Sequence, residues 1–263
     1  MLAKLMKYEI KSTARLFLPL YVVLFVFALL NRYLNPLKVM ETSAIFSMQS
    51  ILQALSMTIY FALVVAVFVM TLVIIIQRFY KNLLGDEGYL MFTLPVKTWQ
   101  HITSKFLTAI IWCAFSAIAI GISLLTIIGL KEITQILPQF IEILKQSFGN
   151  VGWIVLPLLV LAQLSAGIMM IYNYIALGHL FQKNRLLASF AMYCALYFIQ
   201  QVFYVIFLLI MANTALGAII HSAAPIPSNL NLFLGAIAIG GAFTAAVHFV
   251  VIHYVLKRKL NLE

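Results

Sequence analysis

The chain has 263 residues, of which 64% are hydrophobic and only 9% are charged, and its formal net charge is +10. A typical soluble domain has about 25% charged and about 45–50% apolar residues. This composition excludes an ordinary water-soluble protein and predicts one membrane-embedded domain over 1–263, in contact with the lipid bilayer. The basic residues flank apolar runs and form no single patch, which argues against binding to nucleic acid.

Six membrane crossings are predicted from stretches that lack Asp, Glu, Lys and Arg. A hydrocarbon core of about 30 Å needs about 20 helical residues to cross it. The last stretch, 186–256, is too long for one crossing, and a polar segment with Pro225 and Pro227 divides it into two helices. The predicted spans lie near residues 16–34, 53–76, 106–130, 153–177, 188–212 and 232–254.

Two further helices are predicted from amphipathic spacing. In residues 1–14, apolar side chains recur at helical intervals and Lys4, Lys7 and Lys11 fall largely on the other side, so we expect an interfacial helix before the first span. No small-residue cleavage site follows the first apolar run, so we expect it to be retained. The second helix lies outside, between the third and fourth spans, where Pro138 is expected to start or bend it.

The orientation follows from the positions of the basic residues. The N-terminus, the loops 77–105 and 178–187 and the C-terminal tail together carry thirteen Lys and Arg, whereas the opposite loops carry four. Because cytoplasmic loops are enriched in these residues, the richer set is cytoplasmic. We therefore expect a multi-pass protein of the bacterial cell membrane with both termini in the cytoplasm.

No pattern in the sequence predicts catalysis or metal binding. There is no Walker A, His-Glu-x-x-His or Gly-x-Ser-x-Gly pattern, so we expect neither an enzyme nor a metal site. His248 and His253 are five residues apart and point to different helix faces, so they are interpreted as a packing residue and an interfacial one. No Asp or Glu lies in a predicted span, which disfavours a proton-driven carrier but leaves Na⁺ sites made of backbone carbonyls open.

Several neutral polar residues lie within the predicted spans, and they have two interpretations. They either form hydrogen bonds between helices or line a path for a substrate. The candidate path residues are Gln163, Asn173, Gln200, Gln201 and Tyr204. Adjacent helical residues point about 100° apart, so at most one of Gln200 and Gln201 is expected to face a lumen squarely.

The loop Gly-Asp-Glu-Gly-Tyr-Leu-Met-Phe-Thr-Leu-Pro-Val at 85–96 is the most informative segment. It lies in the longest cytoplasmic loop and combines two carboxylates with a run of apolar side chains. Apolar side chains on a short loop are usually covered by other groups. The cover is either the membrane and the protein's own helices, or a partner protein.

With this loop, the chain resembles the bacterial ABC-2-type transporter permeases, an all-α class of integral membrane protein with a type V exporter-like fold. The resemblance covers the whole chain and includes the basic segment Lys-Leu-Met-Lys-Tyr-Glu-Ile-Lys at 4–11, the six spans, and Lys105 at the start of the third span. The loop is its most specific part, because the other features occur in many polytopic proteins.

The resemblance implies partners that this chain does not contain. Two six-helix permeases, identical or related, form a translocation path, and separate cytoplasmic ATPase subunits bind ATP and Mg²⁺, so no cofactor is expected here. The first cytoplasmic loop forms a coupling helix on the ATPase, residues 1–14 form an elbow helix, and 213–231 forms a re-entrant segment. The implied coupling residues are Asp86, Glu87, Tyr89, Leu90, Phe92 and Thr93.

The sequence therefore predicts the permease subunit of an ABC exporter for a hydrophobic or amphipathic substrate, with a peptide favoured and a lipid also compatible. A carrier or channel that works without an ATPase is the alternative. A membrane enzyme or assembly factor ranks third, because no catalytic cluster is found.

Overall fold

The computed structural model describes residues 2–34, 48–85, 88, 93, 96–181, 185–221 and 226–258, and within them every regular element is helical. The helices in chain order are α1 (Leu2–Leu34), α2 (Met48–Phe79), α3 (Thr98–Ile128), α4 (Leu130–Phe148), α5 (Gly152–Gly178), α6 (Arg185–His221) and α7 (Ile226–Arg258). A short π-helical segment, Tyr80–Leu84, continues α2.

Six of these helices contain segments long and apolar enough to cross a membrane, which confirms a multi-pass helical protein. The crossing segments are Leu2–Leu34, Ser50–Leu84, Thr98–Ile128, Gly152–Gly178, Leu187–Phe207 and Leu230–Lys257. Most of the helices extend well past the predicted spans, because a charged side chain ends the lipid-exposed part of a helix without interrupting its backbone hydrogen bonds.

Helix α1 joins the predicted interfacial segment and the first span into one element. The two were expected to be separate, but residues 11–18 contain neither Gly nor Pro, so nothing there breaks the helix. The hydroxyl of Thr13 also donates to the carbonyl oxygens of Glu9, at 2.8 Å, and Ile10, at 3.2 Å, within the same helix. Pro19 lies inside α1.

The described chain divides into two compact units, and the first comprises Met1–Ile75 and Leu107–Gln139. Its apolar core includes a stack of Phe17 on Trp112, with ring centroids 4.2 Å apart. Hydrogen bonds between side chains link its helices at several levels of α3, as expected where lipid offers no alternative partner. These pairs are Trp112 with Thr13 (2.7 Å), Ser116 with Tyr21 (2.8 Å) and Thr71 (2.9 Å), and Ser123 with Tyr60 (2.8 Å).

The second unit comprises Ile76–Phe106 and Phe140–Glu263. Within it, α5 packs most extensively on α7 and less extensively on α6. Glycines allow the closest approaches. A Cβ added at Gly241 would lie 2.8 Å from Gln163 Nε2 on α5, and one added at Gly178 would overlap Ser189 on α6. Gln163 Nε2 donates to the carbonyl of Ile237 on α7, at 3.1 Å.

Helix α4 confirms the predicted amphipathic helix, and Pro138 lies inside it. It is joined to α3 through Gly129, whose φ of 98° favours glycine. The structure is also helical where the re-entrant segment was implied: α6 runs to His221 and α7 begins at Ile226. The residues between them, 222–225, lie outside the described part of the chain.

Candidate functional site: a polar and aromatic cluster of α5, α6 and α7

Three polar side chains from three helices meet inside the second unit. Asn173 Nδ2 on α5 lies 2.8 Å from Nδ1 of His248 on α7, and His248 Nε2 lies 3.4 Å from Oε1 of Gln200 on α6. An amide nitrogen only donates, so Nδ1 accepts, and Nε2 carries the proton that is donated to Gln200. Through its two ring nitrogens His248 therefore links α5, α7 and α6.

Two buried oxygens beside His248 have no hydrogen-bond partner among the described residues. Asn173 is only 3% exposed and its Oδ1 makes no hydrogen bond. Tyr174 is 2% exposed and its hydroxyl is likewise unpartnered, while its ring lies 6.1 Å from the His248 ring, edge to face. An unpaired buried polar group costs about 1–3 kcal/mol. The cluster thus has unused capacity for hydrogen bonding.

An aromatic ladder on α6, formed by Phe190, Tyr193 and Tyr197, borders this polar cluster. The Tyr193 and Tyr197 rings stack at 5.5 Å with 14° between their planes, and Phe190 stacks on Tyr193 at 6.4 Å and 23°. The buried Tyr174 ring meets Tyr193 edge-on, at 5.4 Å and 84°. Tyr193 and Tyr197 are 37% and 44% exposed, and Tyr193 lies between Phe190 and Tyr197 in the stack.

Helix α6 has two distinct faces along its crossing segment. Polar-tipped side chains recur at spacings of three, four and seven residues, which places them within about 100° of the helix circumference. They are Tyr193, Tyr197, Gln200, Gln201 and Tyr204. The opposite face carries only apolar side chains, such as the exposed Phe198, Val202 and Phe203. Polar groups in a membrane helix avoid lipid, so the first face is the candidate functional surface.

The structure brings together only some of the predicted path residues. Asn173 and Gln200 meet through His248, and the exposed Gln201 and half-buried Tyr204 share the polar face of α6. Gln163 lies apart from the cluster. Its amide bonds α7 at Ile237, which fits the alternative role of linking helices.

Sequence reasoning missed four members of the cluster, His248, Tyr174, Tyr193 and Tyr197. A signal was present for the last two, because tyrosines recur on one face of α6. His248 forms hydrogen bonds with Gln200 and Asn173, which lie 48 and 75 positions away in the chain. No local spacing in the sequence predicts these pairs.

The structure describes one of the implied coupling residues, Thr93, which is exposed. The others lie outside the described residues; they are Asp86, Glu87, Tyr89, Leu90 and Phe92.

The flanks of this loop are packed firmly against α5. Phe79, at the end of α2, stacks on Tyr172 with centroids 4.1 Å apart, and both rings are fully buried. Tyr80 packs against the His179 ring at 5.1 Å. On the other flank, the Tyr172 hydroxyl donates to the carbonyl oxygen of Lys105, at 3.5 Å. Tyr172 on α5 therefore contacts both ends of the segment that contains the loop.

We expect Asn173→Leu to weaken the packing of α5 on α7, because it removes the donor to His248 and places an apolar group beside the imidazole. Hydrogen bonds between membrane helices contribute about 0.6–2 kcal/mol, so the free energy of unfolding should fall by about 1 kcal/mol. Unfolding by a denaturing detergent measures this. Gln201→Leu, an exposed amide on the next helix, is the matched control, and an equal effect in both variants would contradict the role given to Asn173.

No family model matches the chain, and no curated protein or solved structure matches it either. Among the described residues, no group of three or more His, Cys, Asp or Glu side chains lies close enough to hold a metal ion.

Proposed function

We propose that the chain is the transmembrane permease subunit of an ATP-driven ABC exporter. With a second, identical or related copy it forms a path for a hydrophobic or amphipathic substrate, with a peptide favoured over a lipid. Separate cytoplasmic subunits bind ATP and Mg²⁺ and supply the energy. The polar face of α6 and the Asn173–His248–Gln200 cluster belong to the path.

The observation that carries this proposal is the position of two adjacent residues of α5. Tyr172 stacks on Phe79 at the edge of the cytoplasmic loop, whereas Asn173 bonds His248 in the polar cluster. Buried aromatic packing is stiff, so a push on the loop is passed to α5 and not absorbed locally. A rotation of α5 that follows Tyr172 also moves Asn173 relative to α7. This arrangement supports a loop that controls a membrane site.

The exposed polar face of α6 supports a second copy. Tyr193, Tyr197 and Gln201 are exposed within a crossing segment, and hydrocarbon satisfies none of their polar atoms. A water-filled path between two copies would give these groups water as a partner. The apolar face of the same helix suits lipid.

One observation favours the alternative, a carrier that works without an ATPase. His248 is an ionisable residue inside a crossing segment with two polar partners, and such residues occur in proton relays. The two proposals differ in their energy source, so they are separable by experiment.

The test is purification of the tagged chain from the cells in which it naturally occurs, followed by reconstitution of the chain and its co-purifying proteins in lipid vesicles. We expect the ATPase to co-purify in equal amount, and a labelled amphipathic peptide to move only when ATP and Mg²⁺ are present. Peptide movement by the chain alone under a proton gradient would overturn the proposal. If lipid but no amphipathic peptide stimulated ATP hydrolysis, the preference for a peptide would be wrong.

A further inference from the structure

We propose that α4 lies in the membrane surface, on the side predicted to be outside, and inserts an apolar stripe among the lipid acyl chains there. The stripe consists of Ile136, Leu137, Phe140 and Ile143. The inference goes beyond the proposed function, because α4 is not one of the six crossing helices and its lipid contact does not depend on what energy source drives transport.

Both ends of α4 are joined closely to segments that cross the membrane. Only Gly129 separates α4 from the crossing segment Thr98–Ile128. At the other end, three residues separate Phe148 from Gly152, where the next crossing segment begins. Helix α4 is about 28 Å long, whereas an extended chain covers at most about 3.6 Å per residue. These connections are too short for α4 to stand upright on the membrane, so it lies along the surface.

Contacts at the C-terminal end of α4 fix it at the ends of two crossing segments. Asn231, near the start of the crossing segment Leu230–Lys257, donates from Nδ2 to the carbonyl oxygen of Phe148, at 2.6 Å. A Cβ added at Gly152 would lie 2.2 Å from Phe148 Cβ, so α4 and α5 meet closely there. Trp153 follows and is 48% exposed, and tryptophan is enriched at the level of the lipid head groups. This end of α4 therefore lies at the membrane–water interface.

The side chains of α4 divide into an apolar and a polar face. At 100° per residue, the four members of the stripe lie within about 120° of the helix circumference, and each is more than half exposed. The other side of the helix carries exposed polar side chains. They are Gln135, Gln139, Glu142 and Gln146. A helix with two such faces lies in the interface with its apolar face about 5–10 Å into the boundary between head groups and acyl chains.

The proline within α4 agrees with this rotation of the helix. A proline removes one backbone hydrogen bond of a helix, and the carbonyl that loses its donor needs another partner. Pro138 is exposed on the polar side of α4, where water can supply that partner. On the apolar side, lipid would offer no donor.

The size and charge of α4 favour lipid over a protein partner as the cover of the stripe. A large side chain buries about 150–250 Å², so four that are about half exposed present on the order of 400 Å². A standard protein interface buries about 800 Å² on each partner, which is twice as much. Helix α4 carries two basic and two acidic residues, so apolar area and not attraction to anionic lipid drives its insertion.

The experiment measures the depth of nitroxide labels on the full chain in lipid nanodiscs. Cys113 and Cys194 are replaced by alanine, and single cysteines are then introduced as Phe140→Cys and Ile143→Cys. Electron paramagnetic resonance compares collisions with oxygen, which dissolves in lipid, and with a water-soluble nickel chelate. We expect both labels to collide mainly with oxygen and to lie about 5–10 Å below the head-group boundary, in phosphatidylcholine with or without phosphatidylglycerol.

Gln139→Cys and Glu142→Cys are the matched controls, since each lies one residue away on the polar face and should collide mainly with nickel. Val160→Cys, exposed within the crossing segment of α5, supplies the reference for a label in lipid.

Three results would overturn the inference. Equal collision with nickel on both faces of α4 would place the helix in water. Protection of the stripe labels from both reagents would show that a protein surface covers the stripe. Insertion only in the presence of phosphatidylglycerol would show that charge and not apolar area holds α4 at the membrane.

Discussion

We expect Gly178→Ala to be the most destabilising single-methyl addition at any described glycine of the second unit. A Cβ at this position would lie under 3.0 Å from the backbone N and Cα atoms of Ser189, and backbone atoms cannot move aside as a flexible side chain can. Forced overpacking costs about 1–3 kcal/mol, and we expect a loss near the upper end, about 3 kcal/mol. Unfolding by a denaturing detergent, followed by helical circular dichroism, measures it.

Gly167→Ala is the matched control on the same helix, because nothing lies within 4 Å of the added methyl group. Alanine favours the helix over glycine by about 0.5–1 kcal/mol, so this variant should be neutral or slightly more stable. Equal stability of the two variants would show that α5 and α6 do not meet at Gly178 as described.

We expect Tyr89→Ala/Phe92→Ala to abolish coupling to the ATPase. Both residues lie outside the described part of the chain, and the expectation comes from the loop sequence and its resemblance to permease coupling helices. Buried aromatic anchors contribute about 2 kcal/mol or more each to a protein interface. Losing two of them should weaken association by nearly a thousandfold or more. Co-purification of the ATPase and substrate-stimulated ATP hydrolysis are the measurements.

Phe181→Ala is the control for this prediction, because Phe181 is an exposed aromatic residue in the other loop that is predicted to be cytoplasmic, 178–187. It should leave both measurements unchanged. Normal co-purification and stimulated ATP hydrolysis in the double variant would refute the coupling role of the loop, whereas equal losses in the control would indicate a general defect of the membrane domain.

The six apolar helices were predictable from the sequence because lipid imposes a simple rule on chain length and charge. The ends of the helices were not. The spacing of Lys4, Lys7 and Lys11 predicts a separate interfacial helix, but charged residues are good helix formers outside the hydrocarbon, and α1 continues through them. For the same reason, α3 includes Lys105 and begins earlier, at Thr98.

The candidate site was predictable only in part. An amide within an apolar span stands out from the sequence, so Asn173 and Gln200 were identified. Their partner was not, because His248 lies on a helix distant in sequence, and its spacing to His253 indicated only that these two histidines do not act together. The pairing depends on how α5, α6 and α7 rotate about their own axes, and packing of many apolar side chains sets those rotations.

The π-helical segment Tyr80–Leu84 holds an extra residue just before the loop 85–96. A π-type turn holds one residue more than an α-helical turn, and here Asn82, Leu83 and Leu84 are all buried. Removal of one residue here would replace the π-type turn by an α-helical turn, so the chain that follows would keep nearly the same direction. Removal of one residue from the α-helical part of α2 would instead turn that chain by about 100° and draw it back by about 1.5 Å. Loss of one residue therefore redirects the loop when it falls within α2 and leaves the direction of the loop nearly unchanged when it falls within Tyr80–Leu84.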